Sequence, residues 1–180
     1  ALSASFLVAL GLYWGGDIGK WGEQIRLASF QVVSIMTGTG YATADYNLWP
    51  STAIGVLFLM MFVGGCIGST TGNIKVGRYL ILIRRVLMEL KKMVHPKAVL
   101  TMRSGERVIS EDLVSHVAQF FFLYFMFLAL GVVGLTLLGL DVTSSLTASA
   151  ACLGNIGPGF AAVGPTQNYS FIPDAGKYLL

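Results

Sequence analysis

The chain has 180 residues, of which 54% are apolar and only 12% charged, about half the charged share of an ordinary soluble domain. With a mean hydropathy of +0.70, this excludes a disordered chain and argues against a soluble globular domain, whose surface needs more charge. At about 20 residues per span plus loops, there is room for roughly four to six membrane segments. Net charge is +3, and nine of the 12 basic residues fall from Lys75 to Arg107: Lys75, Arg78, Arg84, Arg85, Lys91, Lys92, Lys97, Arg103 and Arg107. Spans flank this cluster, so it reads as a cytoplasmic loop under the positive-inside rule rather than as a nucleic-acid face.

In chain order, one architectural pattern occurs twice. The first copy opens with an apolar stretch, 1–14, that reads as a helix cut in mid-span. A loop, 15–22, leads to a half-helix at about 23–36 and a glycine-rich strip, Thr37-Gly38-Thr39-Gly40-Tyr41. A polar loop, 42–50, precedes the next helix near Ser51. The second copy has a full span at about 113–138 and a half-helix at about 144–153 with Thr143 as its N-cap. Its strip is Gly154-Asn155-Ile156-Gly157-Pro158-Gly159, and a last helix begins near Pro173, a residue suited to a first turn. Residues 1–95 and 96–180 thus form two helix–loop–helix units of an all-α integral membrane protein, both truncated at the chain ends. The sequence is expected to be part of a longer one.

Half-helices of ten to fourteen residues reach about 15–21 Å, too short for a hydrocarbon core of about 30 Å. Irregular backbone at that depth is tolerated only when buried in protein or lining a water-filled cavity. Each half-helix and strip therefore reads as a re-entrant pore loop; an interfacial helix followed by a turn is the alternative. The stretch 51–93 is anomalous too, because one straight helix of that length would be about 64 Å long. It is interrupted by Gly64, Gly65, Cys66, Ile67, Gly68, Ser69, Thr70, Thr71, Gly72 and Asn73. Glycine disfavours helix by about 1 kcal/mol each, so the helix is expected to break inside the membrane, with close packing of small residues against another helix as the alternative. Cys66 and Cys152 are expected to be buried small hydrophobes.

Other signatures fail. Residues 68–75 lack the Gly-Lys-Ser/Thr of a phosphate loop, and Gly38-Thr39-Gly40 has Thr43 where a dinucleotide fingerprint needs glycine. His95 and His116 stand apart from other metal ligands, and no nucleophile–base set supports an enzyme. The strips suit a desolvated monovalent cation. Backbone carbonyls supply oxygens without net charge, glycine permits the dihedrals that aim them, and Thr37 and Thr39 add hydroxyls. The C-terminal end of each half-helix carries partial negative charge toward the strip. With the basic loop on the cytoplasmic side, the strips face the other side.

Thr37-Gly38-Thr39-Gly40-Tyr41 resembles one filter loop of the Trk/Ktr/HKT superfamily of potassium transporters, and Asn155-Ile156-Gly157-Pro158-Gly159 resembles the last of its four filter loops. Gly64-Gly65-Cys66, Gly68-Ser69-Thr70 and Ile74-Lys75 resemble the broken helix after the third loop. The whole is similar to the C-terminal half of a bacterial TrkH-type membrane subunit. The resemblance implies a pseudo-fourfold pore of which residues 1–95 and 96–180 are the third and fourth repeats. It implies K+ as the transported ion, held by backbone carbonyls of Thr39, Gly40, Ile156 and Gly157, with Gly40 and Gly157 as the filter glycines. Gly64, Gly65, Gly68, Ser69, Thr70, Thr71, Gly72, Asn73 and Lys75 then belong to an intramembrane gating loop, in which Thr71 and Asn73 replace expected glycines. It further implies the remaining two repeats, a homodimer, surrounding lipid, a cytosolic nucleotide-binding regulatory subunit and the bacterial inner membrane. Two other functions stay open on the residues alone: a secondary transporter with broken helices and a non-conducting structural subunit.

Overall fold

A computed structural model describes residues 1–15, 20–66, 68–95, 103–104 and 107–180. Lys97 of the basic cluster and Ile67 of the interrupted helix lie outside them. Helix α1, Leu2–Gly15, packs on the half-helix α2, Trp21–Met36, and on α3, Ser51–Met60. Small residues allow the approach: a side chain on Gly11 would lie 3.0 Å from Thr52 Oγ1. Val8, Leu12, Val32, Ala53 and Leu57 are fully buried there.

The helix expected from Ser51 onward is broken. At ten residues α3 is about 15 Å long, half the hydrocarbon thickness. The chain then forms β1, Val63–Gly64, leaves in a loop, and returns as β2, Ile74–Lys75, parallel to it, with Val63 opposite Ile74 and Gly64 opposite Lys75. Helix α4, Val76–Val94, continues from there. The freed carbonyls find partners: Tyr79 on α4 donates its hydroxyl to the Phe62 carbonyl at 3.0 Å. Cys66 is exposed, against the expectation of burial, because it rides on the loop rather than inside a helix.

Strands β3, Arg103–Ser104, and β4, Arg107–Val108, pair antiparallel. Helix α5, Glu111–Leu137, is capped by Ser110, whose side chain accepts from the Leu113 amide. Among the described residues, α5 is the helix whose length and composition suffice to cross a membrane. Arg85 ties α4 to its start, with Nη1 reaching both Glu111 carboxylate oxygens at 2.8 and 2.9 Å.

The second half-helix, α6, is Val142–Leu153, two residues longer at its start than the sequence suggested. Its N-cap is Asp141, not Thr143: the Asp141 carboxylate accepts from the Ser144 amide at 2.9 Å. A carboxylate two residues upstream satisfies the orphan donor, so Thr143 joins the helix. Helix α7, Asp174–Leu179, follows Pro173 as its N-cap, one position outside the first turn. Pro50 stands in the same place before α3. The main core runs through both units, joining Val32, Ile35 and Leu57 to Ala150, Ala151, Ile156 and Phe160.

Candidate functional site

The two half-helices end identically. After α2, the Thr39 amide reaches back to the Ser34 carbonyl at 2.9 Å and the Gly38 amide to Ile35 at 3.2 Å. After α6, the Ile156 amide reaches Ala151 at 2.8 Å and the Asn155 amide reaches Cys152 at 3.0 Å. Both are Schellman caps, which require a left-handed residue just past the helix. Gly38 fills that position at φ +66° and Asn155 at φ +51°. Two residues on, Gly40 at φ +75° and Gly157 at φ +108° again have positive φ. The correspondence Thr37/Gly154, Gly38/Asn155, Thr39/Ile156 and Gly40/Gly157 thus holds in backbone geometry.

The strips lie against each other. A side chain on Gly40 would overlap the Ile156 carbonyl oxygen, and one on Gly38 would lie 3.2 Å from that of Asn155. Gly157 differs: nothing lies within 4 Å of where its side chain would be, so its conformation alone calls for glycine.

No described residue donates to the carbonyls of Thr37, Gly38, Thr39, Gly40, Asn155, Ile156 or Pro158. Unpaired carbonyls gathered at two helix C-termini are a cation-attracting arrangement. The carbonyls of Tyr41, Gly157 and Gly159 are committed. Ser34 donates its hydroxyl to Tyr41 at 2.6 Å, Tyr169 to Gly157 at 2.6 Å and Tyr46 to Gly159 at 3.1 Å. Of the carbonyls expected to hold the ion, that of Gly157 therefore already carries one hydrogen bond. The Thr37 hydroxyl approaches the Val33 carbonyl at 2.8 Å and the Thr39 hydroxyl at 2.7 Å. If Thr37 donates to Val33, Thr39 donates to Thr37 and keeps its own lone pairs free. The Tyr41 side chain is 74% exposed.

Outer-loop residues that the sequence did not single out hold the strips together. Asn47 clamps Ala161, which has φ +56°: its Nδ2 donates to the Ala161 carbonyl at 3.1 Å and its Oδ1 accepts from that amide at 3.0 Å. Asp45 accepts from the Asn47 amide and the Thr166 hydroxyl at 3.0 and 3.2 Å. Tyr46 is buried beside Phe160, ring centroids 5.1 Å apart. Burial and the Asp45 charge push its hydroxyl up, so it stays a donor. The Asp-Tyr-Asn run at the start of a short turn was the available signal.

The loop of the helix break lies against both strips. A side chain on Gly72 would meet the Gly154 carbonyl oxygen at 2.9 Å, and the Thr71 methyl lies 4.0 Å from the Gly38 position. Thr71 Oγ1 accepts from the Gly65 amide at 3.3 Å and pairs with the Ser69 hydroxyl at 3.0 Å. Asn73 is 1% exposed. With its amide nitrogen turned toward the helix ends, Nδ2 donates to Met61 O at 2.9 Å and Gly154 O at 3.2 Å. The opposite orientation offers only Ile35 O at 3.5 Å. Thr71 and Asn73, departures from glycine in the sequence, thus carry the loop's side-chain bonding. Gly68 has φ +96° with open space around it, and Thr70 is exposed. Lys75, in β2, is half-buried just below the break.

Residues 18–176 match the family described as TrkH, cation transport protein. The chain is 39% identical over 153 residues to the Trk system potassium uptake protein TrkI of Halomonas elongata, covering 84% of this chain and 31% of that protein. It is 37% identical over 151 residues to TrkG of Escherichia coli K12, again 84% and 31%. It also matches the crystal structure of the potassium transporter TrkH from Vibrio parahaemolyticus, at a TM-score of 0.89 and 33% identity, over 99% of this chain and 38% of that one. The chain spans about a third of the length of the curated relatives it matches.

Proposed function

This chain belongs to the TrkH family of cation transport proteins, and we propose that it supplies two helix–pore loop–helix repeats, residues 1–95 and 96–180, of a potassium pathway in a bacterial inner membrane. The observation that carries this reading is the pair of identically capped half-helices, whose strips bring unpaired carbonyls together. Carbonyls replace the hydration shell of a monovalent cation without binding it too tightly to leave. Relatives named potassium uptake proteins support K+ as the ion. The carbonyls of Thr39, Gly40 and Ile156 hold it, and that of Gly157 joins them with the lone pair that Tyr169 leaves free. Thr37, Gly38, Tyr41, Asn155, Pro158 and Gly159 shape the filter.

Residues 64–73, with Lys75, form the gate below. The loop's contacts with Gly154 and near Gly38 support that role, as does its freedom from helical pairing. Transport involves no enzymatic step and no organic cofactor in this chain. It takes place with the other two repeats of the pore, in a lipid-surrounded homodimer governed by a cytosolic nucleotide-binding subunit. The basic region from Lys75 to Arg107 lies on the cytoplasmic side.

The test is rubidium uptake by the complete pore subunit in proteoliposomes. Uptake competed by K+ and not by Na+, with discrimination lost in Gly40→Ser, is the expected result. A folded protein that takes up no rubidium, or that discriminates equally well as G40S, would overturn the reading.

A further inference from the structure

The peptide between Gly157 and Pro158 is anchored unlike its neighbours. Asn155 and Ile156 are tied by their amides to Cys152 and Ala151, and Gly159 by its amide to the Val163 carbonyl at 2.7 Å. The Gly157–Pro158 peptide has no N–H, because proline supplies none. Its carbonyl is therefore its sole hydrogen-bonding group, and among the described residues the Tyr169 hydroxyl is what bonds it, at 2.6 Å. Gly157 has open space where a side chain would be, and φ +108°. No backbone hydrogen bond fixes this peptide plane.

We propose that Tyr169 is a specificity-determining positioning residue, whose hydroxyl fixes the Gly157 carbonyl and so sets the cavity that discriminates K+ from Na+. The proposal rests on the filter reading above. Discrimination between the two ions depends on how many carbonyls surround the ion and how far they can adjust. A Gly157 carbonyl free to swing follows the smaller ion inward, and the adjoining Ile156 and Pro158 carbonyls move with it. Tyr169 reaches the strip from the loop beyond it, twelve residues on, so it acts on the ion only through Gly157.

The experiment compares reversal potentials in K+/Na+ gradients for the complete subunit in planar bilayers: wild type, Tyr169→Phe, Tyr169→Leu, Gly40→Ala, and 4-aminophenylalanine at position 169. Both donor-less variants are measured so that a folding defect in one leaves the other informative. The expected result is a K+/Na+ permeability ratio lowered about fivefold in Y169F and Y169L, the equivalent of one hydrogen bond. Conduction is retained, and the ratio is restored by 4-aminophenylalanine, which keeps an N–H donor. A ratio within twofold of wild type in a conducting Y169F or Y169L, while G40A loses selectivity, overturns the role of Tyr169 and leaves the filter standing. An unchanged ratio in G40A as well removes the filter reading itself.

Discussion

Asn73, in the loop of the broken helix, is hydrogen-bonded to Gly154, the residue that caps the second half-helix and lies in the other proposed repeat. The same amide nitrogen serves the Met61 carbonyl at the end of α3. One buried side chain thus answers two of the acceptors that helix C-termini leave unpaired. A side chain on Gly154 would overlap the end of the Asn73 side-chain amide, so the fit is close on both sides. This couples the proposed gate to the base of the proposed filter.

Asn73→Ala removes that tether and strands two carbonyls, at a cost of about 1–3 kcal/mol for each buried group left unsatisfied. If the bonded loop is the closed arrangement, the loss falls on it, and the open fraction rises. Rubidium uptake by the complete subunit should increase several-fold, with K+ still preferred over Na+. Uptake that falls together with the yield of folded protein would make Asn73 a structural residue only.

Gly40 and Gly157 occupy equivalent backbone positions but should not tolerate substitution equally. A methyl group at position 40 meets both an unfavourable φ and the Ile156 carbonyl, whereas at position 157 only φ opposes it. Non-glycine residues at such φ cost of order 1–3 kcal/mol. Gly40→Ala should therefore depress folding yield and K+ selectivity more than Gly157→Ala does. Reversal potentials and size-exclusion profiles of the two variants decide this, and equal losses would mean that the Ile156 contact is easily relaxed.

The strips were legible because glycine at Gly38, Gly40 and Gly157 announces unusual backbone, and the half-helices because they are too short to span. Asn155 was not read as left-handed, although Asn is the commonest substitute for glycine there. The Asp141 cap was missed because Thr143 is also a good cap and only the Ser144 amide distinguishes them. Tyr46 and Tyr169 carry no local signature. Tyr46 meets Gly159 across 113 residues of chain, a contact that periodicity cannot register. Thr71 and Asn73 looked like lost flexibility because the partners that make them useful, Gly65, Met61 and Gly154, come together only in the fold.

The proposed re-entrant arrangement would put both outer loops on one side of the membrane and the end of α4 on the other. Leu48 is 83% exposed and Met93 78%, and Gln167 is exposed as well. In a background with Cys66 and Cys152 replaced by serine, Leu48→Cys and Gln167→Cys should react with a membrane-impermeant thiol reagent from outside the cell. Met93→Cys should react only in inverted vesicles. Labelling of Gln167→Cys from the same side as Met93→Cys, opposite Leu48→Cys, would rule out α6 as re-entrant.

The last prediction concerns the cap that starts the second half-helix. Asp141 accepts from the Ser144 amide, and the Ser144 hydroxyl oxygen accepts from the Ala162 amide at 3.1 Å, so the cap also holds the loop beyond the filter strip. Hydrogen bonds from the Ser144 side chain, then its backbone, keep the Asp141 carboxyl below its ordinary value of 3.8. A depressed carboxyl stabilises the fold fully above its ordinary value, and that stabilisation is lost as pH falls through the lowered one. The window therefore lies below about pH 4. Asp141→Ala should destabilise the detergent-solubilised complete subunit by about 1 kcal/mol at neutral pH. Asp141→Asn, which keeps the oxygen acceptor, should cost only a few tenths of a kcal/mol. Thermal unfolding followed from pH 7 down to the acid limit of the protein should show the deficit of D141A narrowing as the wild-type carboxylate takes up its proton. A deficit that is constant with pH and equal in D141A and D141N would mean that position 141 matters for packing rather than as a charged cap.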